Sequence, residues 1–174
     1  LSRSIKEFYD FIHKYKIPIV SSRMGFDVMP TDDDLYIGRI GTKGTRAGNF
    51  AIQNADLIVA MGSRLSISST GHEYNLFAPK AKIIAIDIDK YEHTKGTIKI
   101  DKVINANIKE VLKQLSLNIS IDKKWLEYCL NIKNKYPICL PEYYNDDSNG
   151  INLYVFMEEL SKKLKKDSVV IADA

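Results

Sequence analysis

The chain has 174 residues, of which 45% are apolar and 27% charged, and its formal net charge is +3. That make-up fits one globular domain with part of a second, and it excludes a low-complexity chain. The lysines are scattered and gather on predicted helices such as 161–166, so neither a nucleic-acid surface nor a nucleic-acid partner is expected. No apolar run reaches the length of a membrane span, and the opening Leu-Ser-Arg-Ser-Ile-Lys-Glu-Phe lacks the apolar core of a signal peptide. Cys129 and Cys139 form no Cys-x-x-Cys pair, so free thiols in a reducing cytoplasm are the expectation.

In chain order, Ile5, Phe8, Phe11 and Ile12 recur at helical spacing and predict an amphipathic helix over 4–15. Ile17 to Val20 reads as a short buried strand. A helix feeding a buried strand is half of a parallel βα unit, so a strand is expected ahead of the helix. Residues 22–45 read as loop, with Pro30, Gly38, Gly41, Gly44 and a solvated turn at Asp32 to Asp34. Arg46 to Asn54 reads as a helix and Leu57 to Met61 as a strand buried on both faces. A long loop over 62–80 precedes a second buried strand, Lys82 to Asp87. A further strand is expected within Ile98 to Ile104, then helices from Ile108 to Leu115 and from Asp122 to Lys135. Residues 137–150 read as a linker, followed by a helix, Leu153 to Leu164, and a strand, Ser168 to Ala172. The expected fold class is therefore α/β, a Rossmann-like parallel sheet flanked by helices over 1–136. Residues 151–174 read as the truncated start of a following α/β domain.

The segment Gly41-Thr42-Lys43-Gly44-Thr45-Arg46 places glycines, hydroxyls and cations ahead of a helix. Helix N-termini carry unpaired N–H groups and the positive end of the dipole, so a diphosphate is one ligand for such a loop. The order of residues is neither Walker nor Gly-x-Gly-x-x-Gly. A plain surface loop with turn glycines accounts for the same residues. The next strand ends in Gly62-Ser63-Arg64 and the one after it in Asp87-Ile88-Asp89, and ligands of open α/β sheets bind at carboxyl ends of strands. An acid at such an end accepts hydrogen bonds from ribose or adenine. Two carboxylates make no metal site, and His13, His72 and His93 have no Cys or His partner in sequence. No catalytic elbow or zinc motif is present, so no catalytic and no metal-binding residue is assigned. Leu65, Tyr74, Leu76 and Phe77 read either as a partner surface or as loop packing.

Ile17-Pro-Ile-Val, Met24-Gly, Leu35-Tyr-Ile-Gly, Gly41-Thr-Lys-Gly-Thr, the run Asn49 to Arg64, Thr70-Gly and the run Phe77 to Asp89 together resemble the central domain of thiamine-diphosphate-dependent enzymes. The nearest group in that resemblance is the acetolactate synthase large subunit with its pyruvate-oxidase-like relatives. The resemblance implies a parent acting on 2-oxo acids, with thiamine diphosphate and Mg²⁺ held by other domains of a homo-oligomer, and a central domain that binds FAD, an ADP-type ligand or nothing. Carried over by match, the ligand-contacting positions are Gly41, Thr42, Lys43, Gly62, Ser63, Arg64, Asp87 and Ile88. Two departures remove polar contacts to FAD: Leu65-Ser66-Ile67-Ser68 replaces an acid and an arginine after Arg64, and Asn105-Ala106 replaces Gly-Asp. The other reading is a free-standing nucleotide-binding module of sirtuin-like or electron-transfer-flavoprotein-like type.

Overall fold

The computed structural model describes residues 2–116, 120–145, 150–165 and 167–171. They divide into two compact units, Leu1–Lys135 and Tyr136–Ala174.

The first unit is a three-layer α/β structure. Helix α1 (Ile5–Tyr15) leads to β1 (Ile19–Ser21) and then to β2 (Tyr36–Arg39), which pairs with β1 in parallel. Helix α2 (Arg46–Asn54) crosses to β3 (Leu57–Met61), which pairs in parallel with β4 (Lys82–Asp87), and β4 pairs in parallel with β5 (Lys102–Asn105). Helix α4 (Ile108–Gln114) and helix α5 (Lys123–Lys135) follow, and a one-turn helix, α3 (Ile67–Thr70), lies between β3 and β4. The strands form two sheets, β1-β2 and β3-β4-β5.

Both sheets contribute to the same two cores. On one face Ile52 of α2 and Ala55, which follows the helix, pack with Ile58, Ala60 and Ile83, and with Val20 of β1. On the other face Phe11 and Ile12 of α1 and Leu112 of α4 pack with Ile19, Tyr36 and Met61. Each buried aliphatic side chain contributes roughly 2 kcal/mol to the fold. Helix α5 lies against α2 and β2, with Cys129 and Ile132 buried and the Lys133 ammonium donating to the Asp33 carbonyl at 2.6 Å. Both thiols are free, and burial pushes the Cys129 thiol up to about 12.

Several expectations are corrected here. The predicted loop 22–45 contains β2, whose apolar residues Tyr36 and Ile37 are both buried, Tyr36 in the core with Phe11 and Ile12 of α1. Asp33 is not a solvated turn residue: its side chain is 7% exposed, accepts from the Leu35 N–H at 3.0 Å and bonds His13 Nε2 at 2.9 Å. The predicted loop 62–80 holds α3 and a 3-10 turn, Tyr74–Leu76. Within it Leu65 and Phe77 are core residues, so the partner-surface reading fails for them. Strand β5 starts at Lys102, with Ile98 and Ile100 packing on the core as irregular chain. Strand β3 is apolar yet not buried on both faces, because Leu57 is 47% and Val59 41% exposed.

The second unit carries a 3-10 turn, Pro141–Asn145, and helix α6 (Leu153–Lys163). The Tyr144 hydroxyl donates to Glu159 at 3.0 Å, and Lys162 pairs with Glu158 and Glu159. The expected strand at Ser168 to Ala172 is not formed over 168–171; Val169, Val170 and Ile171 are exposed and have no ladder partner among the described residues. A strand is defined by its neighbour, and an apolar run alone does not make one. Ala172 lies outside the described residues.

Candidate functional site

Three segments leave the carboxyl ends of parallel strands: Ile40 to Thr45 after β2, Gly62 to Ser66 after β3, and Ile88 to Tyr91 after β4. Together they hold seven of the eight residues predicted to contact a ligand, and the eighth, Asp87, is the last residue of β4. The backbone ties them together. The Thr42 N–H donates to the Ser68 carbonyl at 3.1 Å, joining the first segment to α3, and the Gly62 N–H donates to the Ile86 carbonyl at 2.9 Å, joining the second to β4.

The first segment is built on backbone contacts. Gly41 has φ +98°, in the left-handed region, and a Cβ there would lie 1.9 Å from the Ser68 carbonyl oxygen. The Asn49 side chain clamps it, accepting from the Gly41 N–H at 2.8 Å and donating to the Gly41 carbonyl at 3.0 Å. The Gly44 N–H donates to Gly41 at 2.9 Å and the Thr45 N–H to Arg39 at 2.9 Å, while Thr45 Oγ1 caps α2 by accepting from the Gly48 N–H at 3.1 Å. The N–H groups of Gly41, Thr42, Gly44 and Thr45 are thus already engaged. The side chains of Thr42 and Lys43 are exposed.

The third segment is built on side chains. Glu92, 10% exposed, accepts from Arg64 Nε at 3.3 Å and pairs with Lys95. The Lys95 ammonium, together with Arg64, holds the Glu92 carboxyl below the usual carboxylate range against the opposing effect of burial. Arg64 remains 74% exposed, so its guanidinium reaches solvent while anchored at one nitrogen. Asp87 Oδ1 accepts from the Asp89 N–H at 2.9 Å, and Ile88 is 72% exposed. The Asn105 amide donates to the carbonyls of Asp87 and Ile88 at 2.9 and 2.8 Å, pinning the end of β4 to the end of β5. Ser63 Oγ accepts from the Leu65 N–H at 3.4 Å.

Asn49 and Asn105 are the positioning residues that sequence reading missed. Asn49 acts on the N–H and carbonyl of Gly41 and Asn105 on the carbonyls of Asp87 and Ile88, and only the tertiary fold identifies those partners. Among the described residues no group of three or more His, Cys, Asp or Glu side chains is placed to hold a metal ion. No helix among them is long and apolar enough to cross a membrane.

The profile of the family described as "Thiamine pyrophosphate enzyme, central domain" matches residues 1–115. The chain belongs to that family. Among curated proteins it is 33% identical over 171 residues to the "Probable acetolactate synthase large subunit" of Methanocaldococcus jannaschii, covering 95% of this chain and 28% of that protein. It is 26% identical over 176 residues to the "Acetolactate synthase isozyme 2 large subunit" of Escherichia coli, covering 99% and 30%. It is 31% identical over 176 residues to the "Acetolactate synthase large subunit" of Corynebacterium glutamicum, covering 96% and 27%. The chain therefore spans less than a third of the length of these relatives.

Proposed function

We propose that this chain is the central, non-catalytic domain of an acetolactate synthase-like enzyme and that its rim binds the diphosphate of an ADP-type ligand, FAD included. The observation that carries this is the convergence of Thr42, Lys43, Arg64 and Asp87 on the carboxyl ends of parallel strands, held by the Thr42–Ser68 and Gly62–Ile86 bonds. Since the N–H groups of Gly41, Thr42, Gly44 and Thr45 are engaged, the side chains of Thr42, Lys43 and Arg64 meet the phosphates, and Asp87 accepts from ribose or adenine. Exposed cations bind anions through interactions that salt screens, so affinity is modest and falls with ionic strength. Asn49 and Asn105 hold the two flanking loops in position without touching the ligand.

In this reading the partners are the remaining domains of the parent chain within a homo-oligomer in the cytoplasm. Thiamine diphosphate and Mg²⁺ belong to those domains, and bound there the thiamine supplies the carbanion chemistry on a 2-oxo acid. The central-domain match supports this reading over a free-standing module.

Calorimetric titration with ADP and FAD tests the ligand. ADP binding that competes with FAD, weakens with salt and is lost in the double variant Lys43→Ala, Arg64→Ala is the expected result. No heat from either ligand at millimolar concentration overturns the nucleotide site and leaves a structural spacer.

A further inference from the structure

We propose that the turn Glu92–Thr94 is an anion-released latch: the free chain keeps it closed through Arg64, with His93 Nε2 buried and unpaired, and a phosphate-bearing ligand that draws Arg64 away from Glu92 opens it. This deepens the nucleotide reading and rests on it, because the trigger is the ligand's phosphate.

Two side chains dock the closed turn. Residues 90–97 contribute nothing to either apolar core, and of them only Glu92 and His93 are partly buried. Local bonds give the turn its shape. The Glu92 N–H donates to the Asp89 carbonyl at 3.3 Å, and the Thr94 N–H and Oγ1 both donate to the Tyr91 carbonyl, at 3.1 and 2.8 Å. Beyond its junction with β4, segment 89–95 has one hydrogen bond to another part of the chain among the described residues: Glu92 Oε1 accepts from Arg64 Nε at 3.3 Å. The second docked side chain has no such bond. His93 Nε2 is buried and has no hydrogen-bond partner among the described residues. A buried polar nitrogen left unpaired costs more than an ordinary hydrogen bond returns. Opening the turn removes that penalty, and the Arg64–Glu92 contact opposes the opening. With so few buried apolar contacts, the segment belongs to the low-stability end of the fold.

Arg64 is where a ligand acts on the turn. Its side chain is 74% exposed and within reach of a phosphate from solvent, whereas that of Glu92 is 10% exposed. A phosphate presents two oxygens side by side to the guanidinium, a stronger match than one contact at 3.3 Å. A diphosphate on Arg64 also places negative charge beside the Glu92 carboxylate, and the two repel. Leaving Arg64 does not strand that carboxylate, because Lys95, its other cation, lies three residues on and moves with the turn. Gly96 supplies a pivot at the end of the segment. Its φ is +66°, in the left-handed region, and nothing lies within 4 Å of where a Cβ would stand, so no neighbour obstructs a change of backbone angle there. In the open turn His93 Nε2 meets water and is satisfied.

Modification by diethyl pyrocarbonate, which attacks imidazole mainly at Nε2, tests the latch when the modified residues are mapped by mass spectrometry. The chain has three histidines, so His13 and the exposed His72 are references in the same sample. In the free chain His93 should react slowly beside His72. Saturating inorganic diphosphate or ADP should speed it by about tenfold or more, as should Glu92→Gln without any ligand, while the references keep their rates. Amide NMR on the same samples reports whether the anion binds. A His93 as reactive as His72 in the free chain overturns the latch, and so does a slow His93 in Glu92→Gln. If Glu92→Gln also speeds His13, the fold has loosened, and Arg64→Ala, which removes the exposed partner of the pair, decides by the same criteria. A slow His93 in a chain whose Lys43 and Arg64 amides shift with ADP overturns the latch and leaves the nucleotide site standing. No amide shift with either anion overturns both.

Discussion

The loop after β2 and the loop after β4 end on the same rim but are held in different ways. The first is fixed by backbone contacts: Gly41 sits against the Ser68 carbonyl with no room for a Cβ, and Asn49 seals its N–H and C=O. The second is fixed by side chains: Glu92 gathers Arg64 and Lys95, and Asn105 ties down the carbonyls of Asp87 and Ile88. A backbone-built loop tolerates almost no substitution at the residues that make its contacts, here Gly41 and Asn49, and has few donors left for a ligand. A loop built on side chains tolerates substitution and keeps its charged groups available to solvent.

The sharpest way to break this comparison is Gly41→Ala. The methyl group would meet the Ser68 oxygen at 1.9 Å while φ stays at +98°. Denaturant unfolding should show a loss of about 4 kcal/mol, among the larger effects of single substitutions. A loss below about 1 kcal/mol would mean that the loop yields. Asn49→Ala comes next, since it leaves two partly buried backbone groups of Gly41 without partners. About 2 kcal/mol is expected by the same measurement.

Effects in the other loop are smaller. Glu92→Gln removes the carboxylate beside the well-exposed Arg64 and Lys95, and pairs of that kind contribute about 0.5 kcal/mol. Its pH signature is more telling. The folded-state carboxyl is held below its ordinary value, so its contribution is present above the usual carboxylate range and is lost as pH falls through the lowered value. Stability measured from pH 6 down to pH 3 should therefore fall less steeply in Glu92→Gln than in the parent. Equal slopes would detach Glu92 from the ion cluster. Least of all for stability, Lys43→Ala and Arg64→Ala should shift the unfolding midpoint by no more than about 0.5 kcal/mol, because both side chains are exposed. In the proposed function these two carry the largest effect on nucleotide binding.

Much of the scaffold was legible in the sequence, because period and apolarity act locally. Ile5, Phe8, Phe11 and Ile12 mark α1, and the runs Leu57 to Met61 and Lys82 to Asp87 mark β3 and β4. Strand β2 was hidden because Tyr36 and Ile37 are a short apolar stretch between an acidic turn and Gly38, a context that reads as loop. The run Val169 to Ile171 erred the other way: its composition suits a strand, but no neighbour pairs with it among the described residues. In the site, position along the chain marked the ends of strands. It did not show that Asn49, Asn105 and Glu92 had partners 8, 18 and 28 residues away.

The measurement that tests the rim most directly is an amide NMR titration of the chain with ADP. The account predicts shifts that saturate together at Thr42 and Lys43, at Ser63 and Arg64, and at Asp87 and Ile88, with the rest of the sheet unchanged. Shifts confined to one of these segments, or centred elsewhere in the chain, would contradict it.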